Sequence, residues 1–154
     1  MVLIPCRQPP HKGDSADLAS GEHRLAMCRL AVQGLGGWTV DDLEMARAGP
    51  SYTIDTAREL RRRGWPAVHW LIGADMAAGL PTWHEADALM REVSFVVMVR
   101  AGTAVDAARH QVVATPMIDI SATDIRGRVK AGKPIEFLTP AAVCDYIHQH
   151  RLYR

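Results

Sequence analysis

The chain has 154 residues, 48% of them hydrophobic and 23% charged, which is enough for one domain with its own core. A formal net charge of +1 gives no electrostatic footprint for DNA, RNA or an anionic membrane surface, so any anion must be held by a local arrangement of groups. The three cysteines (Cys6, Cys28, Cys144) form no Cys-x-x-Cys pair, no apolar run reaches membrane-span length, and Val2-Leu3-Ile4 stops at Pro5, too short for a signal peptide. Reduced thiols in a cytoplasmic protein are expected, with Cys28 and Cys144 in the core.

In chain order, residues 2–4 read as a strand, followed by a Pro-rich loop to Ser20. Residues 22–33 read as a helix with Leu25, Cys28 and Val32 at core spacing, ended by Gly34, Gly36 and Gly37. A short strand over 38–43 follows. Ser51 is expected to cap a helix over 52–63, buried through Thr53, Ala57 and Leu60 and stopped by Gly64. Its Arg61-Arg62-Arg63 run complements the negative C-terminal end of the dipole. A strand over 68–72 leads into Gly73-Ala74-Asp75 and a short helix that Pro81 ends. Residues 86–92 read as a helix and 95–99 as a fully buried strand. An apolar, β-branched run at 117–120 reads as a strand, and an amphipathic helix over 125–131 succeeds it. In the last helix Thr139 is the cap, Pro140 lies in the first turn, and Val143 and Ile147 face inward. Strands alternate with helices and no repeat or linker interrupts them, which predicts a single domain over 1–154: α/β, a parallel sheet with flanking helices.

In such sheets ligands bind beyond the carboxyl ends of the strands. Three polar clusters follow expected strands there. Gln8-Pro9-Pro10-His11-Lys12 is a stiff extended loop with two cationic tips. Gly73-Ala74-Asp75 combines a small residue, which permits close backbone approach, with a carboxylate able to accept ribose hydroxyls. Ser121-Ala122-Thr123-Asp124-Ile125-Arg126 places two hydroxyls, free backbone N–H groups and a guanidinium at a helix start, the equipment of a phosphate site. Each cluster has a plain structural alternative: a solvated turn, a helix cap at Asp75 or Thr123, a packing glycine at Gly73, a surface charge at Arg126. Trp83, two residues after Pro81, offers an aromatic face that could stack a flat ring, although most single Trp residues are ordinary core. His148-x-His150 lacks carboxylate or Cys partners, and His84-Glu85 does not extend to a zinc-protease motif, so no protein metal site is expected. Walker A, Gly-x-Gly-x-x-Gly and Gly-x-Ser-x-Gly patterns are absent from the sequence.

Taken in order, these stretches resemble bacterial nicotinate-nucleotide adenylyltransferase, of the nucleotidylyltransferase superfamily. The resemblance rests on Pro9-Pro10-His11-Lys12, Glu22-His23-Arg24, Pro50-Ser51-Tyr52-Thr53, Leu71-Ile72-Gly73-Ala74-Asp75, Leu80-Pro81-Thr82-Trp83-His84, and Ile120-Ser121-Ala122-Thr123-Asp124-Ile125-Arg126. Leu138-x-Pro140 and Leu152-Tyr153 close the match, which covers essentially the whole chain. It implies a Rossmann-like fold and transfer of AMP from ATP to nicotinic acid mononucleotide, giving deamido-NAD and pyrophosphate in NAD biosynthesis, with Mg²⁺ arriving on the triphosphate. By the same resemblance Trp83 stacks on the pyridine ring, and Thr53 with the backbone near His84 receives its carboxylate. Asp75 beside Gly73 meets ribose, His11 and Lys12 face phosphates, and Ser121, Thr123 and Arg126 hold the ATP side.

One departure accompanies these matches. The family's opening strand carries Gly-Gly-[Ser/Thr]-Phe-Asp-Pro-x-His-x-Gly-His, and this sequence contains no such stretch, so no catalytic residue is assigned. The chain begins at what resembles the family's second strand, which implies that the first, central strand is missing and that Met1 is an internal methionine of a longer chain. Two strands would then carry unpaired edges, able to drive homo-oligomerisation. The alternatives to an active adenylyltransferase are a catalytically silent nucleotide-binding remnant or partner-dependent subunit, and, further off, a sister adenylyltransferase with another acceptor.

Overall fold

The computed structural model describes residues 1–10, 18–99, 110–116 and 118–154. Two units divide the chain, Met1–Ser51 with Asp119–Arg154 as the first and Tyr52–Ile118 as the second. Among the described residues every strand pair is parallel, as the alternating pattern predicts; helices lie between β1 (Val2–Leu3) and β2 (Thr39–Val40) and between β3 (His69–Gly73) and β4 (Ser94–Val99), and β5 (Gln111–Ala114) pairs with β4. The ladder is in two pieces: β1 with β2 in the first unit, and β3-β4-β5 in the second.

In the first unit, β1 (Val2–Leu3) pairs with β2 (Thr39–Val40) through Val2↔Thr39 and Leu3↔Val40. The strand expected over 38–43 is cut short because the Asp41 carboxylate accepts the Leu43 N–H at 2.9 Å and turns the chain. Leu43 is buried instead in a one-turn helix, α2 (Leu43–Ala46). Helix α1 (Gly21–Val32) is capped by Ser20, whose Oγ accepts the His23 N–H at 3.4 Å. Helix α6 (Ala122–Lys130) and helix α7 (Ala141–Gln149) supply most of the core, where Val129, Val143, Cys144 and Ile147 surround the fully buried Ile135. Met27, Leu30 and Ala31 of α1 pack against them. Val143 and Ile147 thus face inward as expected, with Pro140 rather than Thr139 at the cap position. The Pro140 carbonyl accepts the Val143 and Cys144 N–H groups, and its own missing N–H costs nothing at a helix entry. All three cysteines are free thiols; Cys144 is buried, whereas Cys28 is only half-buried and not the core residue expected. Among the described residues no helix is long and apolar enough to cross a membrane.

In the second unit α3 (Thr53–Arg62) precedes β3 (His69–Gly73) and α4 (Ala74–Gly79). A 3₁₀ turn (Leu80–Thr82), α5 (Ala86–Glu92), β4 (Ser94–Val99) and β5 (Gln111–Ala114) complete it. Ser51 does not cap α3: its Oγ accepts the N–H groups of Arg7 at 3.0 Å and Gln8 at 3.4 Å, tying the first loop of the first unit instead. Helix α3 is buried through Ile54, Thr56, Ala57 and Leu60, while Thr53 remains half-exposed, one position off the expected face. Gly64 stops it at φ +89°, where a Cβ would be strained. Arg62 and Arg63 fold back on Glu59, and Arg61 donates to the carbonyls of Pro66 and Glu92, so the basic run is spent locally. Strand β4 is buried at Phe95, Val96, Val97 and Val99 but presents Met98 to solvent.

The strand expected at 117–120 is not one. Ile118 and Ile120 are exposed and belong to no strand, and Met117 lies outside the described residues. The pairing strand is β5, in register with β4 from Val96↔Gln111 to Val99↔Ala114. The Thr115 N–H still reaches the Val99 carbonyl at 3.0 Å, and then Pro116, which has no N–H, ends the ladder.

Candidate functional site

The carboxyl end of β3 runs straight into α4, so Gly73 and Asp75 stand where a parallel strand opens towards a ligand. A Cβ built on Gly73 would lie 2.5 Å from Asp75 Oδ1, so the close approach that glycine permits here is made by the chain's own carboxylate. Asp75 is exposed and in the first turn of α4, a helix without a side-chain cap.

Past α4, the 3₁₀ turn is closed by Trp83 N–H to the Leu80 carbonyl at 3.1 Å and by the Thr82 hydroxyl on the Gly79 carbonyl at 2.8 Å. The turn delivers Trp83 onto Phe95 of β4, ring centroids 6.2 Å apart and planes nearly perpendicular, a favoured aromatic geometry. On another side the indole nitrogen runs close to Gly79, 3.9 Å from where a Cβ would stand. Half-buried in this way, Trp83 lines a shallow cleft of about 450 Å³ with Pro81, Glu85, Ala86, Asp87, Ala88 and Arg91. His84, exposed, stacks on Tyr52 at the head of α3, centroids 4.1 Å apart and planes 22° from parallel. Tyr52 adjoins Thr53, so the stack carries the start of α3 to the Trp83–His84 turn. Thr53, Gly73, Asp75, Trp83 and His84 therefore all belong to the second unit, on segments that touch one another.

The other cluster belongs to the first unit. Ser121 is the N-cap of α6: its Oγ accepts the Asp124 N–H at 3.0 Å and donates to the Asp124 carboxylate. Thr123 is thereby not the cap. Its Oγ1 accepts from the Arg126 guanidinium at 3.1 Å. Thr123 and Arg126 line a pocket of about 280 Å³ together with Lys130, Tyr153 and Arg154. Burial pushes the Tyr153 hydroxyl pKa up, with Arg126 and Arg24 pulling it the other way. Three cations (Arg126, Lys130 and Arg154) around one small pocket along the flank of α6 suit a phosphate, although the Asp124 carboxylate in the first turn offsets part of that field. A further cavity, about 580 Å³, lies at the far end of α6 between Lys133, Glu136 and His148 and shares Lys130 and Arg154 with this pocket. His11 and Lys12 lie outside the described residues.

Four neighbours were not assigned from the sequence. Tyr52 and Phe95 pack against His84 and Trp83, and Lys130 and Tyr153 line the pocket beside Thr123 and Arg126; Tyr52 and the Leu152-Tyr153 pair were visible signals without an assigned role. His150 packs on the rings of Tyr146 and His23, which accounts for the closest histidine pair without a ligand. No group of three or more His, Cys, Asp or Glu arranged for a metal ion occurs among the described residues.

Residues 1–128 match the cytidylyltransferase-like family model, and the chain belongs to that class of nucleotide-binding α/β proteins. It is 38% identical over its whole length to a probable nicotinate-nucleotide adenylyltransferase of Gemmatimonas aurantiaca, of which it spans 78%. It is equally 38% identical, over 98% of its length, to that of Bacillus pumilus, spanning 80% of the relative. The chain is a member of the nicotinate-nucleotide adenylyltransferase family, as its motifs imply. A solved structure, Plasmodium falciparum nicotinic acid mononucleotide adenylyltransferase complexed with NaAD, matches 99% of this chain and 81% of its own with a TM-score of 0.79. At 18% identity that likeness establishes a shared Rossmann-like fold.

Proposed function

We propose that the chain binds nicotinic acid mononucleotide on the aromatic turn of its second unit and MgATP at the start of α6, and transfers AMP from the second to the first in NAD synthesis. The mononucleotide phosphate attacks the α-phosphorus in line; the bond to the bridging oxygen breaks and pyrophosphate leaves, its charge carried by the metal that came with ATP. No covalent bond to protein forms, so the chain's work is positioning and charge neutralisation. Trp83 stacks on the pyridine ring, and Thr53 with the backbone at His84 takes the carboxylate. Asp75 accepts ribose hydroxyls over Gly73. Arg126 exchanges its bond with Thr123 for phosphate oxygens, assisted by the N–H groups that follow Ser121. His11 and Lys12 complete the phosphate contacts.

The observation that carries this reading is Trp83: a half-buried indole, braced by Phe95 and Gly79, on an open cleft in a chain of this family. A second reading is binding without transfer. Pyrophosphate release by the 154-residue chain separates them. Release that requires both MgATP and the mononucleotide supports transfer. Saturable binding of both with no release supports the silent binder, and binding of neither overturns both readings.

A further inference from the structure

Glu85 is a non-glycine residue with φ 49° and ψ 45°, the left-handed region, and it directly follows Trp83 and His84. A residue with a Cβ leaves that region unless its surroundings hold it there. The shortest restraint on its side chain is Arg58, midway along α3, with His84 Nε2 further off at 3.7 Å from Glu85 Oε1. The two terminal nitrogens of Arg58 donate to both Glu85 carboxylate oxygens, at 3.1 and 2.7 Å, and its Nε donates to Glu92 Oε1 at 3.3 Å. A planar guanidinium held by two carboxylates is the geometry in which an exposed ion pair keeps one arrangement. The Glu85 carboxyl is held below the ordinary carboxylate range, first by the Arg58 hydrogen bonds and then by the Arg58 and His84 charges. Helix α3 thus grips the turn twice, through the Tyr52–His84 stack and through Arg58.

We propose that Arg58 is a positioning residue for the pyridine-nucleotide site: by clamping Glu85 in the left-handed conformation it fixes the turn that presents Trp83 and His84. This rests on the reading of Trp83 as the ring-stacking residue. Because the pair is exposed, its loss changes the local turn far more than global stability. The clamp also differs from a simple strut between two helices. A strut requires two opposite charges, whereas this one requires only that residue 85 stay left-handed. An asparagine there adopts that conformation without a partner.

Three variants test it by titration calorimetry with the mononucleotide and, separately, MgATP. Arg58→Ala should weaken mononucleotide binding about tenfold, with MgATP affinity and Tm unchanged. Arg58→Lys, which offers no fork, should recover only part of the loss. Glu85→Asn placed on Arg58→Ala should recover most of it, although it removes the second charge as well. Mononucleotide affinity unchanged in Arg58→Ala overturns the proposal, as does equal weakening for both ligands or failure of the asparagine rescue. Trp83→Ala run alongside isolates the reading beneath it. If that variant binds the mononucleotide normally, ring stacking fails, and the clamp is judged on NMR alone. The Glu85 HN–Hα coupling and the Trp83 indole resonance must move in Arg58→Ala and return in the double variant; no movement ends the proposal.

Discussion

Trp83→Ala separates the two substrates. A planar ring stacked on an aromatic side chain contributes about 1–3 kcal/mol. At about 1.4 kcal/mol per decade of affinity, its loss raises the mononucleotide Kd roughly 5- to 150-fold. The residue is half-buried, and the perpendicular contact with Phe95 contributes about 0.5–1.5 kcal/mol beyond area burial. The variant should therefore stay folded with a lower Tm, and Trp83→Phe, which keeps a ring against Phe95, should lose less of both. Calorimetric titration at 25 °C with each ligand alone gives the two affinities without depending on turnover. Thr123 and Arg126 belong to the other unit and are proposed to hold the other ligand, so MgATP affinity should stay within about twofold. Equal weakening of both ligands, or of neither, refutes the stacking role.

Arg126→Ala should do the reverse. A charge-assisted hydrogen bond contributes about 1.5–3 kcal/mol, so MgATP binding should fall about ten- to a hundredfold in titration while the mononucleotide is unaffected. Gly73→Ala puts a Cβ 2.5 Å from the present position of Asp75 Oδ1, so the carboxylate must swing away. Mononucleotide affinity should drop in that variant with little change in Tm, and a crystal structure should show Asp75 rotated. The Cys6 pKa is pushed up from its ordinary 9.0 to about 11, by burial first, then by the Glu44 charge and the hydrogen bond the thiol donates to that carboxylate. A raised thiol pKa means the folded state favours the protonated form. That stability is complete below pH 9 and is lost as pH rises towards 11. Thermal melts should decline across that window and decline less in Cys6→Ser, which does not titrate there. Alkylation of Cys6 at pH 8 should be slow beside an unstructured thiol, because the thiolate is the nucleophile.

The sequence was most legible where structure is local. Helix α5 has the bounds that periodicity predicts, and Gly64 ends α3 because only its backbone suits φ +89°. The strand at 117–120 failed for a non-local reason. β-Branched residues mark strand-forming capacity, but a strand exists only where a partner supplies a register, and β4 supplies one to 111–114 before Pro116 closes the ladder. Ser51 shows the same limit on a smaller scale. A Ser before a helix satisfies a local capping rule, yet its hydroxyl is claimed by Arg7 and Gln8, more than forty positions away.

The candidate site divides along the same line. Trp83, Asp75 and Arg126 could be put forward from the sequence because a lone aromatic after a proline stop, a carboxylate after a strand, and a guanidinium one turn into a helix each carry chemistry in their immediate neighbourhood. Arg58 and Glu85 were not. As sequence they are two surface charges 27 positions apart, each adequately explained as a solvated helix face. Their significance depends on a backbone angle at Glu85 that no residue type announces, since glutamate is not a residue chosen for the left-handed region. Once that angle is known, the order of causes reverses. The ion pair is what permits an ordinary residue to close the turn behind Trp83 and His84, and the aromatic turn inherits its orientation from the middle of α3. A salt titration exposes that dependence. Raising ionic strength should screen Arg58 from Glu85 and weaken mononucleotide binding in the wild type, and should do so much less in Arg58→Ala with Glu85→Asn, where the turn no longer relies on charge.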